Sequence, residues 1–242
     1  MPEIGPEEVL IKNIAAGICS SDPKIIWQGY DDSDDWFVRR VIKPPMVPGA
    51  ENFGEIAEVG KNVKNWKVGD RVCAEVLQNN CEQCRYCRAD FPPMCPECLS
   101  LGRAFNGSFA EFYKAHFKYL HKVPDHVSPK DGSCVEMLAA VCTNLTNWTE
   151  VKPGDFVVVL GPGTIGQFSA QVAKVRGAGT VVVTGTTHSK HRLEKAKELG
   201  ADVVINQDEQ DPVAMVMEMT KGQGADIVVG ACEANVTVNQ AL

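Results

Sequence analysis

The stretch VVVLGPGTIG, residues 157–166, decides the fold, because an apolar run typical of a buried strand leads into a glycine-rich turn where a helical pattern begins. The spacing is G-x-G-x-x-G. In this context the three glycines allow a tight turn, close approach of backbone to a pyrophosphate, and close packing of helix on strand. The helix N-terminus offers free N–H groups to the phosphates; the alternative is a glycine-rich turn without a ligand. The predicted dinucleotide contacts are Gly161, Gly163, Thr164, Ile165 and Gly166.

Strands and helices alternate around this turn from about Cys134 to the end of the chain. After the glycine turn come a strand ending in VVVTG, helical SKHRLEKAKELG, apolar ADVVIN, helical DPVAMVMEMTKG and apolar ADIVVGAC. Continuous apolar strands between helices imply a parallel sheet covered on both faces. We therefore predict a doubly wound dinucleotide-binding domain over residues 134–242.

The first half of the chain, residues 1–133, has a different pattern. Short apolar or alternating runs such as GEIAEVG, DRVCAEV and SFAEFYKA are separated by glycine and proline. Short strands bounded by turn residues predict an all-β barrel or sandwich. The predicted class is therefore α/β, with a β-rich domain followed by the doubly wound one.

The end of the second strand of the α/β half bears on which dinucleotide binds. An NAD site usually has an acidic residue there that bonds the ribose 2′-OH, but the sequence reads VVVTGTTHSKHR. Hydroxyls and cations are at hand to receive a 2′-phosphate, so we predict NADP(H) over NAD(H). The alternative is that the two cations belong to a solvated first helical turn. The residues concerned are Gly185, Thr186, Thr187, Lys190 and Arg192.

Four cysteines form a compact lobe in CEQCRYCRADFPPMC, at about residues 78–98. The spacing C-x2-C-x2-C-x7-C lets one loop wrap an ion, and four thiolates complete a tetrahedral Zn²⁺ without an open position. We therefore predict a structural zinc site; a chance cluster or a disulfide pair is the alternative. Nearby Cys98 is interpreted as a bystander. The predicted ligands are Cys81, Cys84, Cys87 and Cys95.

Composition and charge exclude several partners. The chain has 242 residues, is 44% hydrophobic, and carries a formal net charge of −7 without a basic block. A nucleic-acid or anionic-membrane partner is therefore not expected, and no apolar run approaches the length of a membrane span. Ten cysteines without a signal-peptide pattern favour metal thiolates in a reducing compartment, so we predict a cytoplasmic location.

The motifs, in their order along the chain, resemble those of the zinc-containing medium-chain alcohol and polyol dehydrogenases, especially the sorbitol (L-iditol) and threonine dehydrogenase branch. The resemblance covers nearly the whole chain and rests on AAGICSSD, PPMVPGAENFGEIAEVG, VGDRV, the cysteine lobe, GSFAEF, VEMLAAV and GPGTIG. It implies a GroES-like catalytic domain followed by a Rossmann domain, a small alcohol or polyol as substrate, and a dimer or tetramer of identical chains.

The resemblance also implies a set of catalytic residues. Cys19 matches the family's cysteine ligand of a catalytic zinc, and Ser21 matches the hydroxyl that relays the alcohol proton. Asp22 matches an acidic residue that supports the metal site. Glu51 matches the acidic residue after the ligand histidine, and Glu136 matches the glutamate at or near the metal. In such a site zinc holds the substrate oxygen as an alkoxide while nicotinamide takes the hydride.

One departure from the family pattern affects this metal site. The family's ligand histidine, in PGHE, is replaced by Ala50. The remaining set of Cys19, Glu51 and Glu136 lacks the nitrogen donor that helps to hold Zn²⁺, so we expect weakened or absent catalytic zinc with the structural zinc retained. None of the five histidines of the chain lies in a segment that the family places at the metal. They are His116, His121, His126, His188 and His191.

Length is the second departure. Family members continue with two more strands and a returning helix, so the C-terminal part of the Rossmann domain is expected to be missing and ADIVVGA to lie at an edge. We therefore expect a truncated chain of reduced stability.

The leading functional hypothesis is a dehydrogenase that oxidises a secondary alcohol of a polyol or a related molecule with NAD(P)+. One alternative is a nucleotide-binding homologue with structural zinc and no catalysis. Another is a zinc-independent reductase of the same fold, although such members usually lack the cysteine lobe. The substrate is not readable; its pocket is expected to be lined by Ile25, Trp27, Trp36 and Phe105.

Overall fold

The fold comes from a computed structural model that describes residues 1–27, 45–232 and 234–241, without the side chains of Lys24, Ile25 and Trp27. Of the predicted pocket residues, Trp36 and the side chains of Ile25 and Trp27 therefore lie outside the described part. The chain divides into two compact units, Met1–Glu136 and Met137–Leu242. The division falls after residue 136, where the sequence predicted it after residue 133.

The first unit is built on a five-stranded antiparallel sheet and a two-stranded ribbon. Its strands are β1 (Glu8–Ala15), β2 (Phe53–Val59), β3 (Arg71–Ala74), β4 (Leu77–Gln78), β5 (Leu99–Ser100), β6 (Phe112–His116) and β7 (Leu120–Lys122). The sheet order is β6-β1-β2-β3-β7, and β4 pairs with β5. Its helices are α1 (Ser21–Trp27), α2 (Arg85–Arg88), α3 (Pro129–Gly132) and the start of α4 (Val135–Thr143). The predicted β-rich first domain is confirmed.

Alternate residues of these strands form the core of the first unit. Because strand side chains point to opposite faces in turn, Val9 and Ile11 of β1 enter the same apolar cluster. The cluster also takes fully buried residues from three other strands, namely Ile56, Val72 and Tyr113. Phe105, predicted to line the substrate pocket, packs partly buried against this same cluster.

Asn52 joins the loop before β2 to two strands. Its side chain is 1% exposed, and its amide nitrogen donates to the carbonyl oxygens of Ala50 and Ala74 at 2.9 Å each. Its amide oxygen accepts from the Ala74 N–H and from the Tyr113 hydroxyl, both at 2.7 Å. Two donors and two acceptors are all that an asparagine amide offers, so this buried group is fully satisfied. The loop that carries Ala50 is thereby fixed to the sheet.

Asn52→Leu is expected to lower the free energy of unfolding by at least about 3 kcal/mol, because it leaves several buried backbone groups without partners. Tyr113→Phe removes one hydrogen bond of the same network and is expected to cost only about 1 kcal/mol. Urea unfolding of the two variants would measure both values. Equal losses in the two variants would contradict the role assigned to the Asn52 amide.

The second unit contains a four-stranded parallel sheet. Its strands are β8 (Phe156–Leu160), β9 (Thr180–Gly185), β10 (Val203–Asn206) and β11 (Ile227–Gly230), in the order β10-β9-β8-β11. Its helices after α4 and the π-helical turn Asn144–Trp148 are α5 (Thr164–Val175), α6 (Lys190–Glu198), α7 (Pro212–Met219) and α8 (Asn235–Ala241). In the described residues, no helix is long and apolar enough to cross a membrane.

Both faces of this sheet are covered, which explains the continuous apolar strands. Val157 and Val159 of β8 point into a cluster that includes Ala173 of α5 and Leu193 of α6. Val158 and Leu160 of the same strand point to the opposite face, where Met215 and Val216 of α7 pack. The parallel, doubly covered sheet predicted from the sequence is confirmed.

Candidate functional site

The glycine-rich turn links β8 to α5 with three different glycine environments. Gly161 has a φ of +109°, a conformation that residues with a side chain rarely adopt. A Cβ on Gly166 would lie 1.9 Å from the Gly161 carbonyl oxygen, so α5 packs there on bare backbone. A Cβ on Gly163 would meet no protein atom within 4 Å, which leaves room for a ligand against the backbone. Thr164 and Ile165 open α5, and the N–H groups of a first helical turn have no intrahelical acceptor.

The end of β9 lies against this turn. A Cβ on Gly185 would come within 2.9 Å of the Pro162 ring and 2.8 Å of the Ser189 hydroxyl oxygen. The following Thr186 forms a capping box with Ser189, whose hydroxyl accepts the Thr186 N–H at 3.0 Å. The two predicted threonines therefore follow directly from a strand end that contacts the glycine-rich turn.

Lys190 and Arg192 lie on the first turn of α6, and both are exposed. Neither cationic group has an ion-pair partner in the part of the chain that the structure describes. The two charges are thus available to an anion near the end of β9.

Asp208 is a carboxylate at this place that sequence reasoning missed. It follows β10, and its Oδ2 accepts the N–H of Thr187 at 2.8 Å. Asn206, at the end of β10, donates to the Thr187 hydroxyl at 2.9 Å. A negative charge therefore lies beside the second threonine, where the sequence indicated only hydroxyls and cations. Because neighbouring parallel strands end at the same edge, the polar residue after β10 was the available signal.

The four predicted lobe cysteines come together. The sulfur atoms of Cys81, Cys84, Cys87 and Cys95 all lie within 4.8 Å of one another. A zinc–sulfur distance of about 2.3 Å in a tetrahedron implies sulfur–sulfur separations of about 3.8 Å. Two of the separations bracket this value, at 4.0 Å for Cys81–Cys87 and 3.5 Å for Cys84–Cys87. The donor set therefore fits Zn²⁺.

Backbone N–H groups of the lobe already point at these sulfurs. Cys84 donates to the Cys81 sulfur at 3.3 Å, and Cys81 donates to the Cys95 sulfur at 3.4 Å. Such bonds stabilise negative charge on thiolate ligands. Cys98 is outside the group; its N–H donates to the Cys95 carbonyl oxygen.

The predicted catalytic residues include three carboxyl groups, and one guanidinium joins them in the structure. Asp22 is 2% exposed, and its Oδ2 accepts the N–H of Cys19 at 2.8 Å. Glu51 is also buried; its carboxylate lies against Gly17, where a Cβ would approach its Oε2 to 2.0 Å. Arg103, which sequence reasoning did not single out, donates from Nη2 to the Ser21 hydroxyl at 2.7 Å. Nothing in its sequence neighbourhood marked this arginine.

Burial raises the pKa of each carboxyl group above its ordinary value. For Glu51 the nearby negative charges of Glu136 and Asp22 add to that rise in pKa. For Glu136 burial is again the larger cause, and the positive charge of Arg103 acts to lower the pKa. For Asp22 the bond from the Cys19 N–H and the charge of Arg103 oppose the effect of burial on the pKa. These residues thus form a cluster of carboxyl groups whose repulsion is partly balanced by one arginine.

The donors for a catalytic zinc fit less well than those of the lobe. Among the described residues, Cys19, Glu51 and Glu136 do not form a group with ligand atoms within 4.8 Å of one another. Ala50, at 5% exposure, supplies no nitrogen donor. A guanidinium cannot coordinate a metal and repels one. This arrangement does not fit a tightly bound Zn²⁺.

Comparisons with known proteins agree with both halves of the fold. Residues 5–125 match the alcohol dehydrogenase GroES-like domain, and residues 164–242 match the zinc-binding dehydrogenase family. D-arabitol-phosphate dehydrogenase of Enterococcus avium is 36% identical over 242 residues, which is 100% of this chain and 66% of that protein. Sorbitol dehydrogenase of Halalkalibacterium halodurans is 37% identical over 94% of this chain and 63% of that protein.

The chain thus spans slightly less than two thirds of the length of these two relatives. Among solved structures, a protein of Sinorhizobium meliloti 1021 described as a zinc-binding dehydrogenase, bound to NADP, superposes with a TM-score of 0.86. It is 27% identical, over 99% of this chain and 67% of that chain.

Proposed function

We propose that this chain binds NAD(P) and transfers a hydride to or from a secondary alcohol. The chain belongs to the zinc-binding, GroES-like alcohol and polyol dehydrogenase family, whose members are oxidoreductases. The proposed substrate is a polyol or a similar small molecule of the sorbitol, L-iditol or threonine kind. The observation that carries the proposal is the turn between β8 and α5, where Gly163 leaves space for a pyrophosphate and Gly166 packs on bare backbone. Bound nicotinamide would supply the hydride acceptor.

The residues of this chain have separate roles in the proposal. The glycine-rich turn and the start of α5 hold the phosphates, with Thr164 and Ile165 at the first helical turn. The hydroxyl of Ser21 accepts a bond from Arg103 and so keeps its own proton free to donate towards a substrate oxygen. Cys19, Asp22, Glu51 and Glu136 form the proposed catalytic site together with that hydroxyl. The four cysteines of the lobe would hold a structural zinc ion, which has no open position for substrate when four thiolates bind it.

Titration of the purified chain with NADPH and NADH, followed by coenzyme fluorescence, tests the first part of the proposal. Saturable binding of a reduced coenzyme is expected, together with a tightly held zinc ion. Formation of reduced coenzyme from NADP+ or NAD+ with a panel of polyols then tests catalysis. A chain that binds neither coenzyme contradicts the proposal.

A second candidate function is coenzyme binding without catalysis. It is favoured by Ala50 in place of the family's ligand histidine and by Arg103 beside the predicted catalytic residues. Coenzyme binding without turnover of any polyol would support this candidate over the first. Dimer or tetramer formation and a cytoplasmic location stay predictions in both cases.

We also propose that NADP(H) is preferred over NAD(H). Lys190 and Arg192 support the preference, since both are exposed cations near the end of β9 and the related Sinorhizobium structure holds NADP. Gly185 and the hydroxyls of Thr186 and Thr187 are the other proposed contacts of the 2′-phosphate. Asp208 acts against the preference, because its carboxylate occupies the Thr187 N–H.

The double variant Lys190→Ala/Arg192→Ala is expected to weaken NADPH binding by about tenfold or more, since charge-assisted bonds to a phosphate are lost. NADH binding should change little. The matched variant Asp208→Asn is expected to strengthen NADPH binding, because it removes a negative charge and keeps the shape. Dissociation constants for both coenzymes measure these effects. Equal or tighter binding of NADH by the unaltered protein would refute the preference.

A further inference from the structure

Arg103 lies in a tight turn that follows β5. The Ala104 N–H donates to the Ser100 carbonyl oxygen at 2.8 Å, and the Gly102 N–H donates to that of Phe105 at 2.9 Å. Leu101 anchors the turn, because its side chain is fully buried in the core of the first unit. The turn therefore holds the Arg103 backbone in place.

Glycine contacts join this turn to the loop that carries Ala50. A Cβ on Gly102 would lie 2.4 Å from the Gly49 carbonyl oxygen, and a Cβ on Gly107 would lie 2.1 Å from the same atom. The Ser108 N–H donates to that oxygen at 2.9 Å. These three contacts place two backbones directly against each other. The turn of Arg103 therefore has a fixed position relative to the loop at position 50.

The Arg103 guanidinium brings a positive charge to this cluster of carboxylates. It donates to the Ser21 hydroxyl at 2.7 Å, and Ser21 directly precedes Asp22, whose carboxylate is buried. It has no carboxylate oxygen within 4.0 Å among the described residues, so it acts on the pocket without being neutralised by a direct salt bridge there. An arginine stays protonated at every ordinary pH and cannot donate a lone pair to a metal.

We propose that Arg103 is the resident cation of this pocket: it holds the Ser21 hydroxyl, balances the charge of the carboxylates, and keeps divalent metal ions from Cys19, Glu51 and Glu136. The inference rests on the pocket of the proposed function, but it does not depend on coenzyme binding. A metal ion entering the pocket would meet a fixed like charge. It would also find carboxylates whose negative potential is already partly offset.

Cobalt titration tests this inference, because thiolate-bound Co²⁺ gives charge-transfer absorption. The chain is first loaded with one equivalent of Zn²⁺ to fill the cysteine lobe and is then titrated with Co²⁺. Arg103→Met is expected to bind a second ion about tenfold or more tightly than the unaltered chain, which is the size of effect of one full charge in a partly solvated pocket. Arg103→Gln, which keeps a hydrogen-bond donor without the charge, should give the same gain.

Three control variants locate the effect. Arg103→Lys keeps the charge and should bind Co²⁺ as weakly as the unaltered chain. Ser21→Ala removes only the hydrogen bond and should also show no gain. The double variant Arg103→Met/Cys19→Ser should lose the charge-transfer absorption of the second ion.

Two results would overturn the inference. One is equal affinity for the second ion in the unaltered chain and in both uncharged variants. The other is tight binding of a second ion through Cys19 in the unaltered chain. NADPH binding by the same preparations separates the two proposals. If the Arg103 variants bind Co²⁺ no more tightly than the unaltered chain but coenzyme binding is intact, only the role of Arg103 is rejected. Absent coenzyme binding with the expected cobalt series rejects only the proposed function.

Discussion

Replacement of Cys84 by serine is expected to remove the zinc ion from the cysteine lobe and to unfold residues 78–98. The four sulfurs lie within 4.8 Å of one another, and unmetallated thiolates that close would repel each other. Structural zinc contributes about 10 kcal/mol or more to folding in small zinc domains at neutral pH, so the loss of one ligand should be among the most damaging single changes. Zinc content per chain and thermal unfolding of the variant would measure the effect.

Cys98→Ser is the matched control for this prediction. Cys98 lies in the same lobe, three residues after a ligand, but its sulfur is outside the four-sulfur group. Its replacement should leave the zinc content at one ion per lobe and change the unfolding temperature little. Retention of zinc by Cys84→Ser, or its loss from Cys98→Ser, would show that the ligand set is assigned wrongly.

Substitutions at two glycines of the β8–α5 turn are expected to separate folding from coenzyme binding. In Gly166→Ala the new methyl group would lie 1.9 Å from the Gly161 carbonyl oxygen, so α5 must move away from the sheet. We expect a loss of stability of about 3 kcal/mol or more, comparable to overpacking of a core, and loss of NADPH binding with it. Urea unfolding and NADPH titration would follow the two effects.

Gly163→Ala makes the same chemical change where no protein atom lies within 4 Å. Stability should stay within about 0.5 kcal/mol of the unaltered chain, as for other substitutions without a clash. NADPH binding should nevertheless fall by about tenfold or more, because the methyl group fills the space proposed for the pyrophosphate. Unchanged coenzyme affinity in a stable Gly163→Ala variant would reject this turn as the phosphate site.

Local sequence patterns predicted those features that depend on local geometry. The run from Val157 to Leu160 is apolar on both faces because β8 is covered on both, and that is the pattern of a central parallel strand. The lobe was predictable for the same reason, since three of its cysteines lie within seven residues of one another. In both cases the residues that act together are close in the chain.

The remaining contacts depend on tertiary placement, and the sequence gives no sign of them. Arg103 meets Ser21 across 82 positions, and Asp208 meets Thr187 across 21. Neither charged residue stands in a motif, and a surface position is the ordinary expectation for each. Asp208 is the clearest example of a contact that the local sequence does not indicate. No carboxylate follows β9 in the sequence, but Asp208 brings one to this place from the segment after β10.

The backbone contact of Gly49 with Gly102 and Gly107 limits how this pocket can be redesigned. Because Gly102 and Gly107 have no side chain between them and the Gly49 carbonyl group, neither segment can slide or tilt without disturbing these contacts and the Ser108 bond. An engineer who installs an imidazole at position 50 therefore cannot rely on loop adjustment to admit zinc. The side chains that project from these fixed backbones determine which ions can bind. Restoring a zinc site would therefore require replacement of both Arg103 and Ala50.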